Sequence, residues 1–239
     1  MNKETFIEEL KKIDININDE QYNLFSMYAN NLILAGENTN LTSIKDKDQI
    51  FLKHFYDSLC LTRVIDFLKI NNVLDLGSGA GFPGIVLKIV FPKLRIVLLD
   101  SNGKKINFLR ELVGNLNLSD IELVNQRAED YCQNNRETFD LVTARAVAPL
   151  IILAELAIPF VKIGGNFVAM KGKNEVEIND SDYAIKTLGG KITQLLHFNL
   201  PIENSQRTLV KISKEIATNK DYPRRYDKII KNPLKKLSK

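Results

Sequence analysis

At 239 residues and 44% hydrophobic content, the chain holds enough apolar material to close a full-sized core, which excludes a disordered segment or a miniprotein. Its 33 basic and 29 acidic residues leave a net charge of only +4, and the excess is gathered at the C-terminus. Two cysteines (Cys60, Cys132) and two histidines (His54, His197) are too few and too scattered for a disulfide framework or a His/Cys metal centre, so no metal site is assigned and only a carboxylate-held Mg²⁺ is left open.

The first ten residues carry acids where a signal peptide needs an unbroken apolar run, and the expected location is cytoplasmic. Phe6, Ile7, Leu10 and Ile13 recur at helical spacing. A second helix starts at Asp19 and aligns Tyr22, Phe25, Ala29, Leu32 and Ile33 on one stripe, with Gly36 as its expected stop. The polar run from Asn38 to Ser43 suits a turn and a helix cap, and a third helix is expected from Asp46 to Leu61. Residues 1–70 therefore read as a small helical cap.

From Asn72 onward, short apolar runs alternate with helical stretches. Strands are expected at Val73 to Leu76, Leu94 to Leu99, Ile121 to Val124, Phe139 to Thr143 and Asn166 to Met170. Gly84 to Val90, Lys104 to Asn115 and Leu150 to Val161 fit connecting helices, with a short crossover at Glu129 to Asn134. The richest apolar stretch, Val147 to Val161, is broken by Pro149, Glu155 and Pro159 and is no membrane span. This alternation predicts an α/β fold, a doubly wound Rossmann-like sheet over residues 71–213. Ile192 to Asn199 and Arg207 to Ser213 follow with no convincing helix between them and suit a closing antiparallel hairpin. Residues 214–239 are a basic tail whose Pro223 and Pro233 discourage a long helix. From Lys211 to the end, ten lysines and arginines face three acids, which suits either a polyanionic partner or a solubilising tail.

Four of the twelve glycines lie within eight residues, Gly77-Ser-Gly-Ala-Gly-Phe-Pro-Gly84, directly after the first strand. A plain turn needs one or two, whereas a backbone that a ligand must approach closely needs several. Gly79-x-Gly81-x-x-Gly84 formally matches a dinucleotide fingerprint, but a lone match is weak. Asp75 precedes the glycines, where a carboxylate suits the cationic amino-acid portion of S-adenosylmethionine and repels a pyrophosphate. Asp100 closes the second strand, placed for the ribose hydroxyls of either cofactor class. Arg127-Ala128-Glu129 follows the third strand, where a backbone amide and a side chain can meet an adenine edge.

The acceptor is narrowed by what stands after the fourth strand. Amino-group methylation of bases typically uses Asn or Asp followed by Pro-Pro and an aromatic, and pyrimidine C5 methylation needs a Pro-Cys nucleophile. This chain has Thr143-Ala-Arg-Ala146, and neither cysteine follows a proline. Guanine N7 fits an acceptor needing neither kind of help: its lone pair lies in the ring plane and carries no proton. Catalysis then rests on alignment and on tolerating charge moving onto the purine.

These motifs resemble those of the bacterial 16S ribosomal RNA guanine-N7 methyltransferases of the small-subunit methyltransferase G family, also called glucose-inhibited division protein B. The resemblance rests on Asn40-Leu-Thr42, Lys53-His-x-x-Asp57-Ser-Leu59, the Asp75 to Gly84 loop, Leu99-Asp-Ser101, Arg127-Ala-Glu129, Ala144-Arg-Ala146 and Lys171-Gly172. It implies S-adenosylmethionine as cofactor, 16S rRNA or the small ribosomal subunit as partner, and no membrane or protein partner. Carried over by position, the cofactor contacts are Gly77, Phe82, Ala128, Glu129 and Arg145, joined by Asp100 on the ribose and by Asp75, Gly79 and Gly81 of the loop. Arg145 and Lys171 are the catalytic candidates; Lys171 faces RNA phosphate or the target base, or is simply a surface lysine. Family members often have Ser where this chain has Ala144, so whatever that hydroxyl orients falls to another group here. His54 and Asp57, at i and i+3 of one helix, are expected to brace the cap. The competing readings are a small-molecule methyltransferase and a nicotinamide-dependent oxidoreductase; Asp75 and the missing Tyr-x-x-x-Lys or catalytic His count against the second.

Overall fold

The structure is a computed structural model that describes residues 1–38, 44, 46–172 and 176–236. The Asn40-Leu-Thr42 motif lies outside the described residues. The N-terminal helices are α1 (Lys3–Lys11), α2 (Asp19–Asn38), α3 (Lys47–Ile50) and α4 (Asp57–Leu59). The Asn2 side chain caps α1 through the Thr5 N–H, and Asp46 caps α3 through the Gln49 N–H. Between α3 and α4 the backbone runs as a π-helical turn, Phe51–Tyr56, and a 3₁₀ turn, Cys60–Arg63, follows α4. The expected single helix from Asp46 is therefore one path with a widened turn in its middle, a feature often found at functional sites. Gly36 does not stop α2. An interior glycine costs a helix only about 1 kcal/mol relative to alanine, and the fully buried stripe of Phe25, Tyr28, Ala29 and Leu32 outweighs that.

The sheet comprises β1 (Asn72–Leu76), β2 (Arg95–Leu99), β3 (Ile121–Val124), β4 (Phe139–Arg145), β5 (Val161–Lys171), β6 (Gly190–Asn199) and β7 (Gln206–Lys214). Its order is β3-β2-β1-β4-β5-β7-β6. The first five strands are parallel, β7 returns antiparallel to β5, and β6 pairs antiparallel with β7 at the edge. The helices α5 (Gly84–Val90), α6 (Gly103–Asn115), α7 (Ala128–Tyr131), α8 (Leu150–Ala157), α9 (Val176–Thr187) and α10 (Tyr226–Lys231) complete the chain. Strand β6 runs into β7 without a helix, as expected, whereas helix α9 lies between β5 and β6, a stretch to which the sequence pattern assigned no element. Its buried stripe begins with a serine (Ser181, then Ala184, Ile185 and, just past its end, Leu188), amid Asn and Asp that are weak helix formers.

Each face of the sheet has its own core. On one, α1, α2 and the turns around Phe51 and Phe55 share a single apolar cluster with α5 and α6. The cap and the sheet are thus packed as one body across residue 70. On the other, α8, α9 and Ile229 of α10 enclose Val142, Phe167 and Val210. Strand order reverses between β1 and β4, opening a crevice at their carboxyl ends, where ligands bind in such sheets.

Candidate active site: two cavities joined at Ala146

Two cavities occupy that crevice. The first lies over β1, β2 and the start of α7 and is lined by Gly77, Leu99, Asp100, Ala128, Glu129 and Tyr226, among others. The second lies over β4 and β5 and is lined by Lys53, His54, Asp57, Arg145, Lys171 and Arg207, among others. Ala146, in a left-handed conformation (φ 55°), lines both.

In the first cavity the Asp100 carboxylate is fixed before any ligand arrives. Its Oδ2 accepts from the Gly79 N–H at 3.0 Å and its Oδ1 from the Asn102 N–H at 2.9 Å, with Lys105 Nζ 3.5 Å away. A carboxylate offers about four lone-pair sites, so capacity for hydroxyl donors remains. Glu129 Oε1 accepts from the Tyr226 N–H at 3.1 Å. The first N–H groups of α7, at Ala128 and Glu129, have no acceptor within their own helix.

Four residues expected as cofactor contacts do not line this cavity. The Asp75 carboxylate is fully buried and turned beneath the loop, where Oδ2 accepts from the Gly84 N–H at 2.8 Å and anchors the start of α5. Burial pushes its pKa up to about 7, and its Oδ1 has no hydrogen-bond partner. A charge two residues before a glycine loop can face the ligand or the loop's own amides; here the amide is nearer. Gly79 serves through its N–H to Asp100, and Gly81 (φ +101°) lets Tyr28, Ile85 and Leu109 close over it. Phe82 is directed into the cap, stacked between His54 (centroids 4.4 Å apart) and Tyr28 (5.4 Å).

The second cavity is organised around Arg145. Its guanidinium lies 4.8 Å from the Phe82 ring, donates to the Lys53 carbonyl at 3.1 Å, and sits 3.5 Å from Asp57 Oδ2. Its Nη2 is 2.7 Å from His54 Nδ1. A guanidinium can only donate, so that nitrogen accepts and the imidazole is neutral. Burial, then the Arg145 charge, lowers the His54 pKa to about 3. Burial likewise works against the Arg145 charge, and Asp57 is the largest influence supporting it. Asp57 Oδ2 also accepts from Arg207 Nε at 3.2 Å. The Lys53-His-x-x-Asp57 motif is thus a receptor for one arginine, and orientation of Arg145 falls to it rather than to a hydroxyl at Ala144. Lys171 Nζ donates to the Ala148 carbonyl at 2.7 Å, steadying the loop after Ala146. Arg207 was not singled out from the sequence, and Tyr226, an aromatic of the basic tail, was not expected at the cofactor cavity. Both come from segments far along the chain, whose approach only the folded hairpin and C-terminus bring about.

The first cavity's residues fit S-adenosylmethionine: an ordered acid for ribose hydroxyls, apolar Leu99 and Ala128 beside it, and an adjoining acceptor chamber. A parallel sheet closed by an antiparallel β7, with a glycine loop after β1 and an acid ending β2, defines a Rossmann-like S-adenosylmethionine-dependent methyltransferase. Solved structures share this fold. They include M. jannaschii TYW2 in complex with AdoMet (TM-score 0.51, 14% identity, 61% of this chain and 70% of that one). Another is the ribosomal protein L11 methylase from Lactobacillus delbrueckii subsp. bulgaricus (TM-score 0.52, 16% identity, 72% and 81%). Residues 21–210 match the family described as rRNA small subunit methyltransferase G, GidB. The proteins named ribosomal RNA small subunit methyltransferase G of Macrococcus caseolyticus and of Bacillus cereus strain B4264 are each 42% identical, over 99% of this chain and all of theirs. The chain belongs to the rRNA small subunit methyltransferase G family.

Proposed function

We infer that this protein transfers the methyl group of S-adenosylmethionine to N7 of a guanine in 16S rRNA, acting in the cytoplasm on the small ribosomal subunit or its RNA. The observation that carries the reading is the second cavity. Among the described residues, Lys53, Arg145, Lys171 and Arg207 line it against a single acid, Asp57, and it meets the cofactor cavity at Ala146. Such a chamber suits a phosphate-bearing, electron-rich purine.

S-adenosylmethionine, when bound, supplies an electrophilic methyl group. Asp100, Ala128 and Glu129 would hold it, with Gly77 allowing close approach. The acceptor nitrogen carries no proton, so the chain needs no general base. His54 suits that scheme, since it is neutral and its Nδ1 is engaged by Arg145. Arg145 and Lys171 would engage phosphate and orient the guanine, with the cap helices holding the arginine in place, so that the chain contributes alignment while positive charge moves from sulfur to the purine.

The test is incubation of the purified protein with methyl-labelled S-adenosylmethionine and small subunits or 16S rRNA lacking the modification, followed by nucleoside mass spectrometry. Label in 7-methylguanosine is expected, with single-turnover rates nearly flat between pH 6.5 and 8.5, a range set by where an ordinary general base titrates (about 6 to 8). Label in cytosine, in an exocyclic amine or in a small molecule only would overturn the assignment.

A further inference from the structure

We propose that Tyr226 is the aromatic wall of the cofactor cavity and that the Arg224–Glu155 pair is the clasp holding it there. This rests on the reading that the first cavity takes S-adenosylmethionine.

Glu155 is the one acid in the apolar helix α8 and is wholly buried. Its carboxylate accepts three hydrogen bonds from Arg224: from the backbone N–H at 2.9 Å, from Nε at 2.8 Å and from Nη2 at 2.7 Å. A bidentate guanidinium fixes direction as well as distance. Arg224 Nη2 also donates to the Asn232 carbonyl at 3.0 Å, so one side chain secures the chain on both sides of α10. Upstream, Arg136 donates to the carbonyls of Thr218, Asn219 and Tyr222. Ile229 is buried in the second core. The C-terminal segment is therefore a fitted part of the domain.

Between these fastenings stands Tyr226. Glu129 Oε1 holds its N–H, the Arg127 guanidinium lies 5.7 Å from the centre of its ring, and it lines the cavity while remaining partly exposed. Among the described residues, the cavity's other apolar walls, Leu76, Leu99, Ala128, Ala146, Val147 and Leu156, are aliphatic. With Asp100 taking the ribose, the purine beyond it needs a flat apolar partner, and among the described residues the Tyr226 ring is the aromatic group lining this cavity.

The test is calorimetric titration of S-adenosylhomocysteine into the full-length protein and its variants. Loss of a base–aromatic stack corresponds to about five- to a hundredfold in affinity. Tyr226→Ala should bind that much more weakly and Tyr226→Phe within about twofold of the parent, since the ring and not the hydroxyl is the contact. Arg224→Gln should also bind more weakly and be cleaved faster by trypsin between Lys220 and Lys231. The ligand should slow that cleavage in the parent protein but not in Tyr226→Ala. Equal affinity in the parent and Tyr226→Ala overturns the wall. Should the alanine variant melt early, Tyr226→Leu poses the same question with bulk retained, and parental affinity there overturns it equally. A parent protein that binds no S-adenosylhomocysteine overturns the cofactor assignment itself, a distinguishable failure.

Discussion

Gly77 illustrates how much one missing methyl group decides. It sits at φ +70°, and a Cβ there would lie 2.6 Å from Val147 Cγ2. Left-handed backbone costs an alanine about 1 to 2 kcal/mol, and Val147, which lines the cofactor cavity, would have to move. Gly77→Ala is expected to lose about that much stability in urea and to bind S-adenosylhomocysteine more weakly; parental values in both measurements would mean the loop relaxes freely. Arg145 makes the opposite point, that a side chain can be structural and functional at once. Sequence alone suggests a position whose loss would spare the fold. Its bonds to Lys53, His54 and Asp57 say otherwise. Removing one partner of a buried pair costs about 3 to 5 kcal/mol, so Arg145→Ala should melt about 6 to 20 °C lower in a chain of this size, besides losing methyl transfer. Full activity in a folded Arg145→Ala protein would demote the guanidinium to scaffold.

Among elements, the π-helical turn Phe51–Tyr56 carries the most unusual burden, because it delivers the Lys53 carbonyl and the His54 ring to a strand end. The depressed His54 pKa gives it a pH signature. Between the ordinary value of 6.5 and about 3, the unfolded chain takes up a proton that the folded chain refuses, so this residue's stabilisation is present above that window and fades as pH falls through it. Asp75, raised to about 7, works the other way, favouring the fold in acid and losing that benefit as pH rises. Comparing the parent with His54→Asn cancels the Asp75 contribution. The gap between their urea midpoints should narrow from pH 7 to pH 4, and a constant gap would place the His54 pKa near its usual value. The histidine-to-aspartate spacing was legible as a brace because i and i+3 share a helix face. Its target was not, since nothing local says which of many distant groups a brace meets. The strands were legible for the complementary reason that β1, β2 and β3 are short, largely apolar runs bounded by turns. Helix α9 escaped because its buried stripe opens on Ser181. For Asp75, sequence fixes its position on the strand, but not that its carboxylate accepts from the Gly84 N–H beneath the glycine loop.

At the scale of the molecule, the C-terminal segment changes character. Composition makes it a detachable basic tail, yet Glu155 in an otherwise apolar helix was a readable hint that a buried cation must arrive from somewhere. Truncation after Ile216 is therefore expected to disturb cofactor binding as well as RNA binding. A cleaner probe of RNA contact neutralises Lys228, Lys231, Lys235 and Lys236, all exposed, while keeping Tyr226 and Arg224. Each phosphate contact contributes about 0.7 to 0.9 to the log–log salt slope, so the quadruple glutamine variant should flatten it by roughly 2 to 4 with S-adenosylhomocysteine affinity unchanged. A parental slope would move the RNA surface to the cations of the second cavity. Ala146, finally, belongs to both cavities, which makes their two occupants thermodynamic neighbours. Whatever factor the spent cofactor imposes on RNA affinity through that residue, RNA must impose on the spent cofactor, so each product tightens or loosens the hold on the other by one shared factor.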